Sequence, residues 1–142
     1  MSKATSLPGI ALDAWQAQGQ TLQFGAHAIR YWVAGDPTAE PLLLIHGFPT
    51  ASWDWHYLWQ PLAQRYRVIA CDMLGFGYSA KPKSHAYTLL EQADLQQALL
   101  AHLGETRAVH VLAHDYGDSV AQELLGRHVE GSFRLASCVF LN

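Results

Sequence analysis

The chain has 142 residues, of which 50% are apolar and 15% are charged, and its formal net charge is −3. That length suits one domain with a hydrophobic core, and a charged fraction below the usual ~25% argues against a disordered chain. No nucleic acid partner is expected because the chain has no cationic excess, and no membrane span is expected because no apolar run approaches the required ~18 residues.

The N-terminal part predicts an irregular segment followed by a β-hairpin. Residues 1–20 are expected to form a loose lead-in, since proline and glycine interrupt any periodic pattern there. Two β-prone runs, 21–24 and 27–33, are separated by two residues, one of them glycine. Such runs joined by a short turn are typical of a hairpin.

The middle of the chain predicts two strands, a helix and a loop. The apolar run 42–46 is followed by a glycine and predicts a strand buried on both faces. A tryptophan-rich stretch over 53–64 predicts a helix, and 66–71 predicts the next strand. Residues 72–79 contain two glycines and predict a loop.

The C-terminal part alternates helices and strands. Thr88 and Glu91 have the spacing of a capping box, which predicts a helix that ends near Gly104. Three further elements follow, a strand over 108–113, a helix over 116–128 and a strand over 134–141. A hairpin followed by β-α-β-α-β-α-β predicts an α/β fold over residues 21–142, with a parallel sheet and helices on both faces.

A sharp strand-to-helix turn is predicted at Asp115. Small residues, Ala113 and Gly117, lie two positions before and after it, as close contact between the strand and helix backbones requires. This is the geometry of a nucleophile elbow with aspartate in place of the usual serine, and the helix dipole would keep the carboxylate ionised. The alternative is that Asp115 only caps the helix, because aspartate is a favoured N-cap residue.

The loop His46-Gly47-Phe48-Pro49 predicts an oxyanion hole beside that turn. In such a fold the hole uses the N–H group after the nucleophile and an N–H group from the loop after the third strand. These would be the backbone N–H groups of Tyr116 and Phe48. Gly47 would allow close approach of the backbones, and Pro49 would stiffen the turn. The alternative is an ordinary turn that ends a strand.

Three motifs carry a resemblance to a known family, namely HGFPT at 46–50, DMLGFGYSAKP at 72–82 and HDYGDSVAQELL at 114–125. Through them the chain resembles the N-terminal half of an α/β-hydrolase with an aspartate nucleophile. That group includes epoxide hydrolases and haloalkane dehalogenases, and the likeness is strongest to the mesoderm-specific transcript proteins. The resemblance implies an α/β-hydrolase fold that breaks off after about the sixth strand. Ala113 replaces the glycine that the family often has at that point.

The resemblance also implies a reaction. Asp115 would attack a saturated carbon of a small hydrophobic epoxide or halide and form an ester, which water activated by a histidine would cleave. No cofactor or metal is implied, and His46 and His114 would support the site. Dehalogenases often carry Asn and Trp where this chain has Phe48 and Tyr116, which favours epoxide hydrolysis. A dehalogenase and a non-catalytic binding module stay open as alternatives.

Parts of the family's machinery do not match any residue in this sequence. The histidine base, the acid that orients it and the cap domain would follow residue 142, so we expect an inactive fragment of a longer hydrolase. The last strand would expose an edge for dimerisation or aggregation. The absence of an evident secretory signal predicts a cytoplasmic location.

Other signals are weaker. Residues 75–80 match a dinucleotide-binding pattern, but no helix is predicted to begin there. His46, His110 and His114 lack the acidic spacing that is typical of a zinc site. The tryptophans between 53 and 59 are expected to pack in the core, and Cys71 is expected to be a small core residue.

Overall fold

The computed structural model describes residues 6–142 as one six-stranded sheet with helices on both faces. The strands are β1 (Gln20–Phe24), β2 (His27–Ala34), β3 (Pro41–Ile45), β4 (Arg67–Cys71), β5 (Val109–His114) and β6 (Leu135–Leu141). The helices are α1 (Leu12–Gln18), α2 (His56–Ala63), α3 (Leu89–His102) and α4 (Tyr116–Glu130), with a 3-10 helix over Ser52–Trp55. Among these residues, no helix is both long and apolar enough to cross a membrane.

The sheet is mixed, with the strand order β1-β2-β4-β3-β5-β6. The predicted hairpin is confirmed, since β1 and β2 pair antiparallel with Phe24 opposite His27. β2 also pairs antiparallel with β4, whereas β4, β3, β5 and β6 run parallel to one another. The parallel part brings the carboxyl ends of four strands to one edge of the sheet, where ligands bind in open α/β folds.

β3 is buried on both faces, as predicted, with all five of its residues buried. Leu43 and Ile45 belong to the core cluster that includes residues of α3 and α4. Leu42 and Leu44 belong to the opposite cluster, which includes Trp residues of α1 and α2. Full burial of such a side chain stabilises the fold by about 1.5–3 kcal/mol. β3 therefore joins the two layers and fixes the position of the loop that follows it.

α1 corrects the prediction of an irregular segment over residues 1–20, of which 1–5 lie outside the described residues. Trp15 on this helix is fully buried. Its ring stacks on Trp32 with centroids 5.0 Å apart and meets the edge of Trp59 at 4.9 Å. A seven-residue helix is too short to be stable alone, and too short to show periodicity, so tertiary packing of one aromatic residue determines it. Gly19 ends this helix and does not prevent it.

The tryptophan-rich helix is divided into two pieces. The 3-10 helix over Ser52–Trp55 precedes α2. Trp55 and Trp59 are 5% and 3% exposed, which confirms that they pack in the core. The indole N–H of Trp53 donates to the carbonyl of Ile10 at 2.8 Å and holds the N-terminal segment against the 3-10 helix.

α3 begins as predicted but uses only half of the capping box. The Thr88 hydroxyl accepts a hydrogen bond from the Glu91 N–H group at 3.1 Å. The Glu91 carboxylate instead contacts Nε2 of His85 at 2.7 and 2.9 Å. This contact ties the preceding loop to the first turn of the helix. Gly104, with φ of +66°, follows the last turn as expected.

Glu105 gives the fold a testable dependence on pH. Its side chain is 2% exposed and contacts Arg107 at 2.8 Å and Arg67 at 3.0 Å. Hydrogen bonds from Arg107, and then from Arg67, lower the pKa of this carboxyl from 4.5 to about 2. Because the folded-state pKa is depressed, ionised Glu105 stabilises the fold above pH 4.5, and this stabilisation disappears as the pH falls towards 2.

We therefore expect the free energy of unfolding to decrease over that acidic range, and to decrease less steeply in the Glu105→Gln variant. Urea titrations at successive pH values measure both slopes. Equal slopes in the two proteins would show that the Glu105 carboxyl titrates alike in the folded and unfolded states.

Candidate active site

Hydrogen bonds connect the loop after β3 to the turn at Asp115 and to the loop after β4. The Phe48 N–H group donates to Oδ1 of Asp115 at 2.8 Å, which joins the loop after β3 to the turn after β5. The Met73 N–H group donates to Nε2 of His46 at 3.0 Å, which joins the loop after β3 to the loop after β4. The carboxyl edge of the sheet therefore assembles all three loops around one exposed carboxylate.

Asp115 has the backbone of a strained turn. Its φ of 53° and ψ of −121° lie outside the regions that side-chain-bearing residues favour. Among residues 6–142 it is the only non-glycine residue with positive φ. Asp115 is the single residue between the two elements, because β5 ends at His114 and α4 begins at Tyr116. Strain of this kind is concentrated at functional sites, and an observed outlier is a reason to look for one.

The neighbouring small residues are required by space, as the sequence predicted. A Cβ atom on Gly117 would lie 2.4 Å from the carbonyl oxygen of Ile45 and 2.6 Å from that of His46. A Cβ atom on Gly47 would lie 2.5 Å from Cβ of Asp115. Ala113 is fully buried. Helix α4 can therefore start directly against the end of β3 only because these side chains are small.

The Asp115 carboxylate does not cap its own helix. It makes no side-chain capping bond in α4. The N–H group of Phe48, then that of Tyr116, lowers the pKa of this carboxyl, and the charge of His114 lowers it further. The carboxylate is thus held ionised and exposed, with the two N–H groups predicted for an oxyanion hole directed at it.

His46 is a structural residue of the loop after β3. Its ring is buried, with Nδ1 2.8 Å from the Gly47 carbonyl oxygen and Nε2 accepting from Met73. These partners assign the proton to Nδ1. Burial lowers the pKa of the imidazole, so the ring is neutral and both nitrogens are engaged. His46 supports the site by fixing the loop, and it cannot accept a proton from water without breaking a hydrogen bond.

The remaining predicted residues surround this centre. His114 is exposed at the end of β5, and Phe48 is 69% exposed above the carboxylate. Pro49 follows Phe48 through a cis peptide bond. Burial raises the pKa of the Tyr116 hydroxyl, with the charge of Glu91 adding to the effect.

The structure places three further groups that the sequence singled out. Burial raises the pKa of the Cys71 thiol to about 12, so this residue is an inert part of the core. Within residues 6–142, no cluster of three or more His, Cys, Asp or Glu side chains is placed to hold a metal ion. The glycines at 75–80 lie in a loop, and the next helix starts only at Leu89.

Sequence reasoning missed a buried carboxylate that supports the loop after β3. Asp72 is 1% exposed. Its Oδ1 accepts from the N–H group and the hydroxyl of Ser52 at 2.9 and 2.5 Å, and its Oδ2 accepts from the N–H group of Tyr78 at 2.8 Å. Asp72 therefore fastens the loop after β3 to the loop after β4. An acidic residue directly after a buried strand was the available signal.

Gln92 was missed for a similar reason. It is fully buried in α3, and its side-chain amide accepts from the Leu74 N–H group at 3.2 Å and donates to the Leu74 carbonyl at 2.9 Å. Gln92 and Gln96 share a helix stripe with Leu99. Polar residues in an otherwise apolar stripe indicate a buried hydrogen-bond role.

Two cavities lie on either side of Phe48. The larger, of about 480 Å³, is lined by polar and apolar side chains together: His46, Phe48, Thr50, Asp54, Trp55, Leu58, His114 and Leu141. The smaller, of about 260 Å³, is mainly aromatic and apolar: Phe48, Leu74, Gly75, Phe76, Tyr87, Gln92 and Tyr116. The loop after β3, whose Phe48 bonds to Asp115, thus borders two cavities of different polarity.

Comparison with known proteins gives consistent matches. Residues 40–142 match the family described as alpha/beta hydrolase fold. The chain is 48% identical over 124 residues to the mesoderm-specific transcript homolog protein of Homo sapiens, which covers 83% of this chain and 36% of that protein. The chain thus spans about a third of the length of the curated relatives it matches.

Two of the solved structures that are similar to this fold illustrate the match. A haloalkane dehalogenase loop variant from Bradyrhizobium elkanii superposes with a TM-score of 0.76 and 28% identity, over 86% of this chain and 39% of that chain. A Pseudomonas aeruginosa protein assigned as an epoxide hydrolase superposes with a TM-score of 0.74 and 32% identity, over 87% of this chain and 40% of that chain.

Proposed function

Because the chain belongs to the alpha/beta hydrolase fold family, we propose that it carries the nucleophile and the oxyanion-binding loop of an epoxide hydrolase. Asp115 is the nucleophile, and the backbone N–H groups of Phe48 and Tyr116 are the oxyanion donors. His46, Gly47, Pro49, His114 and Gly117 support these three residues. The substrate is a small hydrophobic epoxide.

The observation that carries this proposal is the Asp115 carboxylate itself. A residue that served only as a helix cap would accept a hydrogen bond from the second or third N–H group of its helix, here that of Gly117 or Asp118. Asp115 makes no such bond and accepts from Phe48 on another loop, at a backbone conformation that aspartate adopts only under constraint. A constrained, ionised and exposed carboxylate suits nucleophilic attack.

The proposed reaction has two steps. In the first, a carboxylate oxygen of Asp115 attacks a ring carbon, the carbon–oxygen bond of the epoxide breaks, and the oxygen leaves as an alkoxide that takes up a proton. In the second step, water adds to the ester carbonyl carbon, and the resulting oxyanion accepts hydrogen bonds from the N–H groups of Phe48 and Tyr116. Collapse releases the diol and restores the carboxylate. The proton donor and the histidine base would belong to a longer protein.

A haloalkane dehalogenase is the second candidate, favoured by the similarity to the Bradyrhizobium elkanii enzyme. Against it, the side chains of Phe48 and Tyr116 offer no N–H group to a leaving halide. The mass of the covalent intermediate separates the two reactions. Addition to an epoxide adds the whole substrate, whereas substitution at an alkyl bromide adds only the alkyl group and releases bromide.

The test is to incubate the complete protein with styrene oxide and with 1-bromohexane, and to measure diol, bromide and intact protein mass. Diol without bromide supports the proposal. Bromide without diol assigns the site to dehalogenation, and neither product nor adduct would favour a non-catalytic binding module.

We also propose that the 142-residue chain self-associates through β6. Among the described residues, β6 pairs only with β5, and Val139, Phe140 and Leu141 on it are 48%, 41% and 39% exposed. A long apolar edge strand pairs readily with another copy. We expect the mass in sedimentation equilibrium to rise with concentration, and the Val139→Lys variant to remain monomeric. A wild-type chain that stays monomeric at high micromolar concentration would contradict this.

A further inference from the structure

We infer that the smaller cavity, called here the aromatic pocket, binds a flat apolar group, such as an aryl substituent carried by the substrate of Asp115. The inference rests on the proposed function for the identity of the bound molecule. Six side chains determine its character: Phe48, Leu74, Phe76, Tyr87, Gln92 and Tyr116.

The position of the aromatic pocket follows from two of its walls. Phe48 and Tyr116 line it, the Phe48 N–H group bonds to the Asp115 carboxylate at 2.8 Å, and Tyr116 is the next residue in the chain. A group held against these two side chains therefore lies beside the turn that carries the carboxylate. Attack would then occur at a carbon directly attached to that group.

The aromatic rings give the pocket its shape. The Phe76 ring lies 6.3 Å from the Phe48 ring in an edge-on arrangement and 5.9 Å from the tilted Tyr116 ring. Ring pairs interact favourably at centroid separations of about 4.5–7 Å. A further ring entering the pocket can therefore make edge or offset contacts with these walls.

The polar groups of two lining side chains, Gln92 and Tyr87, already have partners within the protein. Both polar atoms of the Gln92 amide bond to the backbone of Leu74. The Tyr87 hydroxyl donates to the Pro82 carbonyl at 2.7 Å. The surfaces that Gln92 and Tyr87 contribute to the pocket are therefore apolar, and a polar substituent would gain no hydrogen bond from them.

The size of the pocket suits one ring. An apolar cavity of about 150 Å³ is sufficient to bind benzene, and the aromatic pocket measures about 260 Å³. The larger cavity, across Phe48, contains the polar side chains of Thr50, Asp54 and His114. The two cavities differ in polarity, and only the smaller one is suited to an aryl group.

The test measures binding without turnover. Toluene and methylcyclohexane, which differ mainly in flatness, are titrated into the ¹⁵N-labelled chain, and the amide shifts of Leu74 and Gly75 are followed. We expect toluene to bind more tightly and to perturb these amides. Equal affinities, or shifts confined to other parts of the sheet, would overturn the inference.

Tyr87→Ala and Tyr78→Ala form a matched pair of variants. Both tyrosines belong to the loop between β4 and α3, and they are 42% and 40% exposed, but only Tyr87 lines the aromatic pocket. Loss of one aromatic wall should weaken toluene binding about three- to tenfold in the first variant, and the second should bind like the wild type. If Tyr87→Ala does not fold, Phe76→Leu takes its place and should weaken toluene binding to a similar extent. Unchanged toluene affinity in Phe76→Leu would also overturn the inference.

The Asp115→Asn variant separates this inference from the proposed function. It should bind toluene normally, because Asp115 does not line the pocket. If the wild-type protein binds toluene but forms no covalent adduct with styrene oxide, the inferred pocket stands and the proposed role of Asp115 as nucleophile fails. If styrene oxide forms an adduct at Asp115 but toluene does not bind, the nucleophile stands and the inferred pocket fails.

Discussion

Replacing Asp115 by asparagine is expected to abolish hydrolysis in the complete protein and to remove the covalent adduct with styrene oxide. The amide is nearly the same size as the carboxylate, but it is uncharged and a poor nucleophile. Removal of a nucleophile typically lowers kcat by about a thousandfold or more. Steady-state diol formation gives the loss of rate, and peptide mapping of the intact-mass adduct identifies the modified residue.

Asp118→Asn is the matched control. Asp118 lies in the first turn of the same helix, and one of its carboxylate oxygens is buried without a hydrogen-bond partner. Burial raises the pKa of that carboxyl, so a neutral amide suits its surroundings. We expect this variant to keep both turnover and the adduct. Retention of turnover by Asp115→Asn would remove Asp115 from the role of nucleophile.

Gly117→Ala is expected to have the largest effect on stability. Its Cβ atom would collide with two backbone carbonyl oxygens, those of Ile45 and His46. Backbone atoms of a buried strand cannot move aside as a flexible side chain can. Overpacking of this kind typically destabilises a protein by about 1–3 kcal/mol, and we expect a value at the upper end, measured as a lower urea midpoint.

Gly126→Ala provides the comparison within α4. A Cβ atom on Gly126 meets nothing within 4 Å. Since alanine is a better helix former than glycine, this substitution should stabilise the chain by about 0.5–1 kcal/mol. The same chemical change in one helix should thus have opposite signs at two positions. A destabilised Gly126→Ala protein would show that helix propensity does not decide that position, and an unaffected Gly117→Ala protein would show that β3 and α4 can separate.

Much of this fold could be predicted from local sequence. The apolar run that forms β3 has no polar residue before His46, so only a doubly buried strand accommodates it. The sharp turn at Asp115 could be predicted because small residues at fixed distances from it are a direct consequence of backbone contact. These features depend on a few neighbouring residues, and local patterns are sufficient for them.

The parts that could not be predicted depend on residues distant in sequence. Helix α1 is determined by the packing of Trp15 on Trp32 and Trp59. Antiparallel pairing of β2 with β4 is a matter of strand order, which no local pattern reveals. Whether Asp115 caps its helix or faces another loop was likewise undecided, because the deciding donor is Phe48, 67 residues away.

The backbone conformation of Asp115 lowers the stability of the fold at the position of the proposed nucleophile. Holding a side-chain-bearing residue in such a conformation costs about 1–3 kcal/mol, a substantial share of the roughly 5–15 kcal/mol that holds a typical domain folded. Glycine at position 115 would relax the turn and remove the proposed nucleophile at once. Selection for thermal stability alone would therefore tend to remove this aspartate, and under the proposed function its presence is a compromise between stability and activity.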